Sequence, residues 1–188
     1  LSIDCVILRH TKQKKMSYQD EMDYLVSNEA RNDFICNLVY SLKGNTLVLF
    51  QFVEKHGAVL QKKMMSRLGD KLHYVYGGTD VIDREAVRGL VEKADDNVIL
   101  ASYGTFSTGV NIKKIDNIVF ASPSKSRIRN LQSIGRGLRK ADGKDRMKLF
   151  DISDDLQCNN HTLNHLKERI NIYNEENFSY EIRQFDLK

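Results

Sequence analysis

Tryptophan is absent from these 188 residues and proline occurs once, so no proline-rich spacer divides the chain. Low-complexity tracts and internal repeats are missing too. Cysteine is scarce: Cys5, Cys36 and Cys158 are an odd set with no CxxC pair. That excludes a cysteine-built zinc site and a disulfide framework, and it suits free thiols in a reducing compartment. No apolar run approaches the roughly 18 residues of a membrane-spanning helix, and no basic-then-apolar leader opens the chain. Without a secretion route, the sequons Asn160-His161-Thr162 and Asn177-Phe178-Ser179 read as chance. A GxxxxGK[ST] phosphate loop is also lacking, since Gly143-Lys144 is followed by Asp145 in a turn before a strand. Asp20-Glu21-Met22-Asp23 spells a DExx-like carboxylate string. It opens an amphipathic helix instead of ending a buried strand, so it reads as surface charge. The chain starts Leu1-Ser2 rather than with methionine, as a piece of a longer protein would.

What is present describes an ordinary globular protein. Hydrophobic residues at 41% and charged residues at 29% supply one sizeable core in a chain of about one domain's length. The net charge of +4 is compatible with a nucleic-acid partner without requiring one.

Strands are expected at residues 3–8, 46–50, 72–76, 97–101, 117–120 and 146–152, with an alternating edge-like strand at 178–185. Thr46-Leu47-Val48-Leu49-Phe50 is a continuous apolar run, as in a strand covered on both faces. Between them lie helical patterns. The longest runs from Ser17 to Leu42, with Met22, Leu25, Val26, Phe34, Leu38 and Leu42 at helical spacing and Gly44-Asn45 as its terminating cap. Others are expected through Leu60, Met64 and Leu68, over 83–93, over 128–139, and through Leu163, Leu166, Ile170 and Tyr173. Strands alternating with helices imply an α/β fold with a parallel sheet.

In such a sheet ligands bind at the carboxyl ends of the strands. The segment from Val98 to Ile112 runs from an apolar strand into Ser102, Thr105, Gly109 and Asn111, whose hydroxyls and exposed backbone N–H groups suit phosphate oxygens. A turn that needs small residues only for close packing would look the same. Further on, Gln132, Arg136 and Arg139 stand at i, i+4 and i+7 of a predicted helix. At about 100° per residue they fall within roughly 60° of one another, beside an apolar stripe of Ile128, Leu131, Ile134 and Leu138. Two guanidiniums on one face of a packed helix complement a polyphosphate. A solvated basic face is the plainer alternative. Gly135 and Gly137 weigh against it, because each costs about 1 kcal/mol against alanine inside a helix unless something must approach closely.

Gln132-x-x-Gly135-Arg136-x-x-Arg139 resembles motif VI of superfamily 2 helicases, and the Ser102–Asn111 turn resembles motif V. Thr46 to Gly57 resembles motif IV, and Tyr76-Gly77-Gly78-Thr79 followed by Arg84 resembles the glycine element after the next strand. The ordered set covers about residues 46–140. Arg31-Asn32 in the connector and His165, Arg169 and Tyr173 in the tail most resemble bacteriophage recombination helicases within that superfamily.

The resemblance implies a RecA-like parallel sheet flanked by helices, with a C-terminal helix and edge strand. Residues 1–44 would be a strand and connecting helix from a missing first lobe, 45–155 the second RecA-like lobe, and 156–188 its appendage. Arg136 and Arg139 would be arginine fingers and Gln132 would position ATP or the attacking water. Gly109, Asn111 and Gly135 would approach the nucleotide. The family more often has Asp at the Asn111 position, which puts a ribose contact there in doubt. Ser102, Thr105, Gln51, Phe52, Gly78 and Thr79 would line the nucleic-acid path. The cofactor would be ATP with Mg2+, the metal held mainly by the missing first lobe. The implied partners are that lobe and branched or junction DNA, with no membrane, in the cytoplasm (the host's, if of phage origin). The alternative is a non-catalytic lobe that binds nucleic acid or protein, against which two retained arginines weigh. A standalone doubly wound enzyme would need its own glycine cradle after the first strand, and Gln51-Phe52-Val53-Glu54 offers none.

Overall fold

The computed structural model describes residues 1–77, 85, 89, 95–104, 115–122 and 147–187. Strand β1 is Ser2–Arg9, β2 Thr46–Phe50, β3 Leu72–Val75, β4 Val98–Ser102, β5 Asn117–Phe120, β6 Lys148–Asp155 and β7 Ser179–Asp186. They form one sheet in the order β3-β4-β2-β5-β6-β1-β7, with every neighbouring pair parallel. The helices are α1 (Tyr18–Ser27), α2 (Glu29–Ser41), α3 (Ala58–Leu68) and α4 (His161–Glu175). The helix expected over 128–139 lies outside the described residues, as does most of the one expected over 83–93.

Alternation along each strand builds two cores, one on each face of the sheet. Leu47 and Leu49 pack with Ile99, Ile118 and Phe120 under Leu166 and Tyr173 of α4. Val48 and Phe50 pack with Leu100 and Val119 under Ile35, Val39, Leu60 and Met64 of α2 and α3. Each such side chain, fully buried, contributes about 1.5–3 kcal/mol, which explains why the central strands carry no polar face. The edge strand β7 is mostly exposed, and Phe185 rests against Phe34 with ring centroids 5.4 Å apart.

Three local expectations are corrected. The long helix from Ser17 to Leu42 is two helices, because Asn28 is extended (ψ 114°) and its side-chain oxygen accepts from Arg31 N at 2.9 Å. Asparagine competes with the helix backbone in this way and starts a new helix better than it continues an old one. The second helix ends at Ser41 with Leu42 as its cap, ahead of Gly44. Gly44, at φ +88°, instead turns the chain into β2.

Glu21 is likewise not surface charge. It is buried and accepts from the backbone N–H groups of His161 (2.9 Å) and Thr162 (2.7 Å) at the start of α4. A carboxylate there satisfies donors that the helix cannot and meets the positive end of its dipole. Asn160 is also buried, and its amide donates to Asp154 O at 2.9 Å. That sequon is therefore occupied by the fold.

Candidate functional site

Because the strands are all parallel, their carboxyl ends share one edge. Strand β2 leads into Gln51-Phe52, β4 ends at Ser102 and leads into Tyr103, β5 leads into Ala121-Ser122, β1 leads into His10, and β6 ends in Asp154-Asp155. The register pairs Phe50 with Ser102, which brings the Gln51-Phe52 turn beside the end of β4. Gln51 is exposed, Phe52 is partly buried, and the Lys55 ammonium stands 5.7 Å from the Phe52 ring centroid. Ser102 closes β4 at 8% exposure. Thr105, Gly78, Thr79, Gly109, Asn111, Gln132, Gly135, Arg136 and Arg139 lie outside the described residues.

The turn after Phe52 is a single π turn, Val53–Gly57, in which Gly57 N reaches back to Phe52 O at 2.8 Å. Such turns are rare and concentrate at functional sites. Gly57 is required: a Cβ there would stand 2.5 Å from the Phe50 ring. The turn carries His56 into full burial. Asn32 donates its amide to Val26 O at 3.0 Å, so its Oδ1 is an acceptor. His56 Nε2 donates to that oxygen at 2.9 Å, which leaves Nδ1 to accept from the Ser122 hydroxyl.

The same short exit from β5 is held twice more. Arg31 Nη1 donates to Ala121 O at 2.7 Å, and the Tyr103 hydroxyl donates to Ser122 O at 2.9 Å. Arg31 is itself fixed by Asp154, its Nε lying 2.9 Å from Oδ1 and 3.1 Å from Oδ2, while His10 Nε2 sits 2.7 Å from Oδ1. Burial favours protonated Asp154, but the Arg31 charge and the bonds from His10 and Arg31 outweigh it and hold the carboxyl below its ordinary range. The turn after β2, the residue that follows β4, helix α2 and the chain leaving β5 thus meet at Ala121-Ser122.

Strand β6 repeats the device on its other face. Asp151 points toward α4 and takes a two-pronged contact from Arg169, with Nε at 2.8 Å and Nη2 at 2.9 Å. The Tyr173 hydroxyl donates to it at 2.6 Å, and Arg169 also donates to Ser153 Oγ at 2.7 Å. Cys5, the register partner of Asp151, has its thiol pushed up to about 12 by burial and the neighbouring carboxylate, so it is unreactive. His165, grouped with this tail by sequence, lies instead near Tyr18, their rings 5.7 Å apart.

Hydroxyl, imidazole and amide in the order Ser122, His56, Asn32 match the roles of nucleophile, base and orienter. Ser122 and His56 are both 0% exposed, so no substrate reaches the hydroxyl. The three groups position chain. Burial first, and then the Arg31 charge, lower the His56 pKa from 6.5 to about 3. The unfolded chain therefore binds one more proton than the folded chain between those values. Stability is full above about pH 6.5 and falls toward pH 3, by on the order of 1.4 kcal/mol per pH unit from this one group. Urea unfolding from pH 7 to pH 4 checks this: His56→Gln should flatten the loss relative to the unsubstituted chain, and parallel curves would contradict it.

A seven-stranded parallel sheet with flanking helices, carrying this edge, is the fold of a RecA-like helicase lobe. The chain matches the helicase conserved C-terminal domain over residues 30–141 and belongs to that family. It is 31% identical over its full length to the ATP-dependent DNA helicase UvsW of Enterobacteria phage T4. The chain spans 41% of that relative's length. The crystal structure of T4 UvsW superposes on all of this chain and 42% of its own with a TM-score of 0.86. The C-terminal domain of the DEAD-box protein Dbp5 shares the fold at 13% identity, with a TM-score of 0.63 over 97% of this chain and 90% of its own. The fold class, a parallel sheet flanked by helices, is therefore as expected from the sequence.

Of the residues in the Ala121-Ser122 cluster, sequence reasoning passed over Tyr103, Ser122, Asp154 and His10. Arg31 and Asn32 had a readable signal: they stand four and three residues before buried Ile35, on the inward stripe of α2.

Proposed function

We propose that this chain is the second motor lobe of an ATP-dependent DNA helicase or translocase acting on branched DNA in recombination and repair. The observation that carries the reading is the 31% identity, over the whole of this chain, to an ATP-dependent DNA helicase, together with the match to the helicase C-terminal domain. In this reading residues 45–155 form the lobe, 1–44 lead in from a first RecA-like lobe, and 156–188 append α4 and β7. Strands β1 and β7 then extend the lobe's own sheet.

Arg136 and Arg139 reach across the cleft between lobes and stabilise charge on the transferring phosphoryl group. Gln132 positions ATP or water, and Gly109, Asn111 and Gly135 let backbone approach the nucleotide. ATP arrives with Mg2+, held mainly by the first lobe. Gln51, Phe52, Ser102, Thr105, Gly78 and Thr79 line the path of the nucleic-acid backbone. The adjacency of Gln51-Phe52 to Ser102 at one sheet edge supports a continuous path.

The expected solution behaviour is weak binding of single-stranded DNA that loses affinity steeply with salt. A lobe contacting about three phosphates gives a log–log slope near −2, from about −0.7 per phosphate neutralised. Fluorescence anisotropy between 50 and 300 mM salt measures it, and binding that ignores salt would count against the path.

A further inference from the structure

We propose that His56, Ser122 and Tyr103 are positioning residues that set where the arginine-bearing segment leaves the sheet, and so govern DNA-stimulated ATP turnover. The inference rests on the motor-lobe reading above and adds to it residues that touch neither ATP nor DNA.

The geometry carries it. Residues 123–146 include Gln132, Arg136 and Arg139 by sequence, and they follow directly on Ser122. Ala121 and Ser122 are gripped at both carbonyl oxygens and at the side chain, by groups from three separate elements. His56 lies four residues beyond Phe52, in a turn closed at its first residue by the Phe52 carbonyl. Tyr103 directly follows Ser102. The two turns assigned to the DNA path therefore each send one buried side chain to the root of the arginine segment. His56 and Ser122 are 0% exposed and Tyr103 is 5% exposed, so no solvent layer absorbs a displacement between them. In a close-packed interior such contacts transmit shifts rather than damp them. Misplacement of a catalytic group by about 1 Å can cost about 10²-fold in rate.

Two minimal substitutions test this, Ser122→Ala and Tyr103→Phe, each removing one hydroxyl. They are made in the protein that joins this lobe to its first lobe. Five quantities are read: kcat and KM for ATP with single-stranded DNA, the ratio of stimulated to basal turnover, DNA affinity, and the urea midpoint. The expected result is a loss of about ten-fold or more in DNA-stimulated kcat, with KM for ATP and DNA affinity each within about two-fold. The stimulation ratio should fall in step. Ser122→Cys, which keeps a weak donor in nearly the same volume, should recover part of the loss. Unchanged kcat in both variants overturns the inference while leaving the motor-lobe reading intact. A loss no larger than the unfolded fraction set by the urea midpoint also overturns it. An unsubstituted joined protein with no DNA-stimulated turnover overturns the motor-lobe reading, and the inference with it.

Discussion

Replacing Arg136 with alanine in the joined protein is expected to lower ATP turnover by about 10³- to 10⁵-fold, the range an arginine finger supplies in phosphoryl transfer. In the helix that the sequence pattern predicts over 128–139, Gln132, Arg136 and Arg139 would share one face, beside an apolar stripe that would give such a helix a way to pack. A guanidinium stays charged at any working pH and offers a planar fork to two phosphate oxygens. Lysine offers a single mobile charge, so Arg136→Lys should restore little. DNA affinity should stay within about two-fold, because the proposed DNA path runs through Gln51, Phe52 and Ser102 and does not include Arg136. Steady-state turnover and anisotropy on the same preparation separate the two effects. Equal loss of both activities would mean that Arg136 holds the lobe together instead of serving the nucleotide.

The second large effect concerns folding. Asp154→Ala leaves the Arg31 guanidinium buried at 0% exposure with only the Ala121 carbonyl as an acceptor. Breaking one side of a buried ion pair typically costs 3–5 kcal/mol, and a domain's whole stability is about 5–15 kcal/mol. The pair is also imperfect: Arg31 Nη2 is one of two buried side-chain atoms among the described residues with no hydrogen-bond partner. Replacing both charges, as Arg31→Met with Asp154→Leu, should therefore recover most of the loss. Urea midpoints of the single and double variants decide it. A single-variant loss below about 1 kcal/mol would show that the pair is not the anchor between α2 and β6.

The sheet was largely legible because its central strands are covered on both faces. Runs such as Leu47–Phe50 and Val98–Ala101 are apolar without interruption, and helical stripes separate them. What periodicity does not carry is which strands become neighbours. β1 is first in the chain yet lies between β6 and β7, and that placement is what brings His10 to Asp154. The role of Glu21 is hidden from local sequence for the same reason: the helix end it caps begins about 140 residues away in the chain. Gln51, Phe52 and Ser102 could be read as strand-end residues, since a strand ending is a local event. Tyr103 and Ser122 could not, because their meeting depends on β5 lying on the far side of β2 from β4. The Asn28 break was visible as a capping residue inside an apolar periodicity, and the periodicity hid it.

The central claim is that this chain supplies half of an ATP site, and ATP turnover by the chain alone against the chain joined to its first lobe tests it most directly. Both are assayed at equal concentration with and without single-stranded DNA. The chain alone should show no turnover above background, and the joined protein should turn over ATP and be stimulated by DNA. Robust ATP hydrolysis by the isolated chain, lost neither on dilution nor on repurification, would contradict the claim.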